Sequence, residues 1–237
     1  MSMQAMTLPP LLPWMRNTLG AVLGLYLIEV IARNYLRLPV DLLSWQPLSG
    51  PFEPWQLLTH FAVQGPGRGG AWSTLMTLLV LWFFLPAMER LMPIPRLLAT
   101  LATAAVTGVA LGLVLDGLVD FASLYGGATG WSSLIGAMIA LFGLSLPNGT
   151  VNLWFVLPIK GSWIAWGTLA VSALLLFAEP SLDTAEHLGA VLGVFGWWYL
   201  RGPLARRRAL RRKSRDIERE LRRFTVLPGG RDDETIH

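Results

Sequence analysis

The chain has 237 residues, 53% of them hydrophobic and 14% charged, with no cysteine and a formal charge of +4. A soluble domain carries roughly a quarter charged residues, so this composition argues against a soluble globular protein. The missing thiols exclude disulfides, thiolate metal sites and cysteine catalysis. Charge is also unevenly placed. Between Leu97 and Leu200 the only basic residue is Lys160, and the acids are Asp116, Asp120, Glu179, Asp183 and Glu186. Eleven of the nineteen Lys and Arg lie between Arg201 and Arg223. The uncharged runs Gly69–Met88, Leu97–Leu115 and Gly161–Ala178 each approach the ~20 residues that cross ~30 Å of hydrocarbon. Several such runs in succession predict a polytopic all-α membrane protein.

In chain order, residues 1–17 form an N-terminal segment. It has no basic region before an apolar core, and no small-residue cleavage site follows Arg16, so a first span is expected rather than a removable signal. Six spans are predicted within a membrane domain over 18–200: Thr18–Leu36, Gly70–Leu91, Arg96–Leu115, Ala128–Leu146, Ser162–Ala178 and Ala185–Leu200. Prolines at 39, 93, 95, 147, 158, 180 and 203 fall at or near the predicted ends. Glu29 and Arg33, one turn apart on the first span, can pair on one face and lower the cost of charge at membrane depth. Between spans one and two, Leu38–Gly69 is a long loop with Trp45, Phe52, Trp55 and Phe61, aromatics that commonly sit at the headgroup level. Its glycines at 65, 67, 69 and 70 do not join a strand to a helix, so they suit a flexible lead-in better than a phosphate loop. Residues 201–237 form a basic tail, with an amphipathic helix expected over Arg206–Phe224 on the anionic leaflet and disorder expected from Leu227 to His237.

The positive-inside rule orients this bundle. Arg90 and Arg96 flank the connection between spans two and three, Lys160 lies between four and five, and the Arg-rich tail follows six. The acids Asp116, Asp120, Glu179 and Asp183 fall in the opposite loops. Both termini are therefore expected in the cytoplasm, with the bilayer as the tail's partner and no nucleic-acid role. The expected location is the plasma (inner) membrane of a bacterium. Asn148-Gly149-Thr150 fits a glycosylation sequon but falls on the cytoplasmic side.

Polar groups within spans are the first candidates for chemistry. His187 lies near the outer start of span six. Span four opens with Gly127-Ala128-Thr129-Gly130-Trp131-Ser132-Ser133, placing three hydroxyls near its own outer end. A serine on one helix and a histidine on the other can thus share a depth, which permits a Ser–His dyad. Thr129, Ser132 and Ser133, spaced three and four apart, are expected on one helix face. Gly189, Gly193 and Gly196 on span six, with Gly130 and Gly136 on span four, are the small residues that allow membrane helices to touch. His60 and His187 are too isolated for a metal site, and no cofactor is expected.

Trp55-Gln56-Leu57-Leu58-Thr59 and Leu81-Trp82-Phe83-Phe84-Leu85-Pro86-Ala87-Met88-Glu89 resemble the first outer loop and second span of rhomboid intramembrane proteases. Phe142-Gly143-Leu144-Ser145-Leu146-Pro147-Asn148, then Val156-Leu157-Pro158-Ile159-Lys160, resembles the end of their fourth span and the link to the fifth. Glu186-His187-Leu188-Gly189-Ala190 resembles the start of their sixth. The resemblance covers roughly Glu53 to Tyr199 and implies a six-transmembrane-helix rhomboid-like bundle with a catalytic Ser on span four and His on span six. Two registers compete. Matching Gly127-Ala128-Thr129-Gly130 places Thr129 at the nucleophile, whereas matching back from Phe142-Gly143 and Pro147-Asn148 places Ser132 there. The ungapped second register and the stiffer, β-branched threonine side chain favour Ser132.

The departures from the family pattern lie on spans two and four. Its oxyanion-stabilising His and Asn fall here on Ser73 and Thr77, its aromatic beside the catalytic His falls on Gly136, and the Gly after its serine becomes Ser133. Two functions follow as expectations. One is an intramembrane serine protease with Ser132 as nucleophile and His187 as general base, cutting transmembrane segments of other proteins. The other is a catalytically inactive relative that binds such segments.

Overall fold

Surrounded by lipid, a chain must satisfy its backbone polar groups internally, which favours helices. The computed structural model is mostly helical. It describes residues 12–48, 52–65, 67–119, 128–153, 157–201 and 217–218. A helix falls over each of the six expected segments: α1 (Pro13–Asn34), α2 (Gly67–Leu91), α3 (Ile94–Val119), α4 (Ser132–Ser145), α5 (Gly161–Ala178) and α6 (Leu182–Arg201). Four of them, α1, α2, α3 and α5, are long and apolar enough to cross a membrane. The chain divides into two units, 1–197 and 198–237. In the second, α6 ends at Arg201 and residues 217 and 218 are helical. The rest of the expected basic helix and the acidic end lie outside the described residues.

Local sequence explains several helix ends. Pro13 occupies the first turn of α1, where its missing N–H costs nothing. Ser181 and Thr184 form a reciprocal cap at the start of α6. The Thr184 N–H donates to Ser181 Oγ at 3.2 Å, and the Ser181 N–H donates to Thr184 Oγ1 at 3.0 Å. The predicted fourth span is shorter than expected. Ala128 exchanges backbone hydrogen bonds with Trp45 (3.0 and 2.9 Å), and Gly130 takes a φ of +86°, so the helix begins only at Ser132. At 14 residues α4 is about 21 Å long, less than the ~30 Å of hydrocarbon. Before α5 the chain forms an antiparallel hairpin that the sequence did not predict, β1 (Thr150–Leu153) with β2 (Leu157–Lys160), pairing Thr150 with Lys160.

The fourth helix is the hub. It touches α2, α3 and α5, and Gly136, Ala137, Met138, Ala140, Leu141 and Gly143 on it are buried. Glycines set the close approaches. A Cβ at Gly143 would meet the Ala165 N at 2.6 Å on α5. Gly189 and Gly193 of α6 press on Thr107 of α3 rather than on α4, and Gly196 meets nothing within 4 Å.

The loop after α1 packs into the helices. Trp45 is fully buried, clustered with Ala128 and Leu182 and seated on Gly112 of α3. Trp55 is exposed. Polar bonds lace the loop to the helices. Asp116 of α3 accepts the Leu48 N–H at 2.7 Å, and Glu29 of α1 accepts the Gln64 N–H at 2.7 Å. Arg33 pairs with Glu29 (3.4 Å), as expected, and more closely with Asp41 (2.7 Å).

Candidate functional site

The capped start of α6 places Asp183, Glu186 and His187 at positions i, i+3 and i+4, which is one face of the helix. That face meets the first turns of α4 in register. The Ser132 hydroxyl donates to Asp183 Oδ1 at 2.9 Å, and the Ser133 hydroxyl donates to Glu186 Oε1 at 2.6 Å. One turn further along, the His187 imidazole lies directly against Gly136. A Cβ there would collide with Nε2 and come within 2.6 Å of Cε1. The structure therefore brings the predicted Ser132 and His187 onto facing surfaces, displaced by one helical turn. The hydroxyl of Ser132 is engaged by Asp183, and among the described residues no hydrogen bond joins it to His187.

Behind this pair lies a buried polar chain. Glu186 Oε2 is 3.2 Å from His60 Nε2, and the two side chains are 2% and 0% exposed. His60 Nδ1 is 2.8 Å from the Gln56 carbonyl oxygen. A carbonyl can only accept, so Nδ1 carries a proton, and Nε2 faces the Glu186 carboxylate. Gln56 in turn accepts the Gln46 and Glu53 N–H groups through its own side-chain oxygen. Removing one member of such a buried pair leaves the other polar group uncompensated.

The remaining sequence candidates are dispersed. Thr129 lies ahead of α4 rather than on its face, with its hydroxyl toward Gly65. The expectation that it shares a helix face with Ser132 and Ser133 fails because Ala128 is held in extended pairing with Trp45. Ser73 is half-buried on α2, its hydroxyl 3.5 Å from Gln64 Oε1, at the limit of a hydrogen bond. Thr77, one turn along the same face, is buried. Gln64 itself is a residue that sequence reasoning missed. Its side-chain amide reaches to within 3.0 Å of where a Gly130 Cβ would stand, just ahead of Ser132. Nothing in the local sequence marks it, since the link to Gly130 exists only once the loop is folded. Asp183 was legible as an acid beside an apolar span, but its serine partner was not.

Chemically, the arrangement sets a hydroxyl and an imidazole on adjacent helices, with the unsatisfied N–H groups of the first turn of α4 beside them. It also supplies a carboxylate that competes for the hydroxyl. The described residues hold no group of three or more His, Asp or Glu able to hold a metal ion. No known family matches the chain, and no curated protein matches it either.

Proposed function

We propose that the chain is a rhomboid-like intramembrane serine protease, with all six helices forming the bundle and both termini in the cytoplasm. The observation that carries the reading is the register of α4 against α6. The Ser132 register makes Gly136 the residue beside the histidine, and His187 does lie against Gly136, with its Nε2 edge toward α4.

In this reading the Ser132 side chain rotates away from Asp183 toward His187. Nε2 takes the hydroxyl proton as Oγ bonds to the scissile carbonyl carbon. The resulting oxyanion rests on the N–H groups at the start of α4, where the helix dipole is positive, with the Ser73 and Thr77 hydroxyls of α2 as further donors. His187 then passes its proton to the departing amine as the C–N bond breaks, and water hydrolyses the acyl-enzyme by the reverse proton route. The substrate is a transmembrane segment that unwinds near the outer leaflet, and the expected location is a bacterial plasma (inner) membrane.

Labelling of the purified protein with a fluorophosphonate probe tests this. Loss in Ser132→Ala and His187→Ala but retention in Thr129→Val is the expected pattern. Full labelling of Ser132→Ala would remove Ser132 as nucleophile.

A specific observation favours a second reading, a non-catalytic protein that binds transmembrane segments. The Ser132 hydroxyl is committed to Asp183, and α2 offers hydroxyls where the family has His and Asn. A folded wild type that never labels, yet captures a membrane partner equally well as Ser132→Ala, would establish that reading.

A further inference from the structure

A different part of the molecule carries a site that needs no serine chemistry. Helices α1 and α2 leave between them an apolar groove of about 590 Å³, walled by Leu19 and Leu23 on one side and by Leu75, Leu79 and Trp82 on the other. Its floor is open at Gly20, where an added Cβ would meet nothing within 4 Å. Arg16 stands at one end.

Two features define the occupant. The groove follows α2 from Leu75 to Phe83, about 12 Å at helical rise. That is under half of the ~30 Å hydrocarbon core, so it suits an acyl chain of one leaflet rather than a spanning helix. The charged end is equally specific. Arg16 is exposed and, among the described residues, its guanidinium enters no ion pair or side-chain hydrogen bond. The Trp14 indole N–H donates to Glu89 at 3.4 Å, which places this end beside the last turn of α2 and Arg90. It is the end where basic residues gather, and therefore the one that faces the anionic leaflet. A guanidinium there can bind a phosphate through two parallel N–H bonds.

We propose that this groove binds an anionic glycerophospholipid, with one acyl chain between α1 and α2 and its phosphate on Arg16. The site is independent of Ser132 and His187. It rests on the membrane placement of the helices.

Native mass spectrometry of the full-length protein, equilibrated in detergent with phosphatidylglycerol or phosphatidylcholine, tests it. The wild type is expected to retain one phosphatidylglycerol with roughly tenfold preference over phosphatidylcholine. Arg16→Gln should bring that ratio close to one. Gly20→Leu should fill the groove, since its Cβ meets no neighbour within 4 Å, and reduce retention of both lipids. Gly24→Leu is the matched control, since Gly24 also has open space around it but does not line the groove, and it should behave as wild type. A preference that survives Arg16→Gln would overturn the proposal and assign the lipid to the basic tail. Equal retention in Gly20→Leu and wild type, or no retained lipid in the wild type, would overturn it as well.

Discussion

A methyl group at position 136 would collide with the His187 imidazole, so this one glycine sets where the ring can sit. Gly136→Ala should therefore leave the protein folded but displace the ring by the order of 1 Å. If His187 is the base, a misplacement of that size costs about 100-fold. The check is the rate of fluorophosphonate labelling, with the melting temperature in detergent as control. The contact between Asp183 and Ser132 makes a second prediction. Asp183→Ala frees the hydroxyl from its 2.9 Å hydrogen bond, and labelling should become faster by several-fold. Slower labelling would instead make Asp183 the proton acceptor. At this scale the sequence was partly legible. Ser132, His187 and Gly136 were identified, and the structure places them on facing helices. Asp183 as a competing partner and Gln64 beside Gly130 were not, because each depends on a contact between segments far apart in the chain.

Whole helices were the most legible feature. Long uncharged runs betray themselves by length, and α1, α2, α3, α5 and α6 fall within a few residues of expectation, apart from a longer start to α1. The fourth was misjudged at its start because Ala128–Trp131 carries no charge or proline to set it apart from the helix it precedes. Only the pairing with Trp45 and the positive φ of Gly130 divert it. The capped start of α6 offers a measurement at this scale. Ser181→Ala removes one half of a reciprocal cap and should cost about 1 kcal/mol in unfolding stability. The pair between α6 and the loop should matter more. Glu186→Ala strands a fully buried His60, and loss of one partner from such a pair costs about 3–5 kcal/mol. The double variant with His60→Ala should be less destabilised than the sum of the two single changes. Additive losses would mean that the contact contributes little.

Across the whole molecule, the proposed orientation rests on the sequence pattern alone, with Arg90, Arg96 and Lys160 near alternate helix connections and Asp116, Glu179 and Asp183 near the others. Cytoplasm-reporting fusions at residue 1 and residue 237 should both be active, and a fusion within the loop after α1 should be silent. An active loop fusion would reverse the orientation and move the candidate site to the other face. That loop has one more consequence, for the order in which the protein is made. It is synthesised second, just after α1, yet its buried His60 and Trp45 find their partners on α3, ahead of α4 and on α6. The ribosome will have delivered nearly the entire membrane domain before Glu186 arrives to close the contact. Until then the nascent chain holds an imidazole without its carboxylate partner and an indole not yet covered by Leu182. A chain truncated before α6 should remain trapped in that unfinished condition, open to chaperones and proteases, however well its earlier helices have inserted.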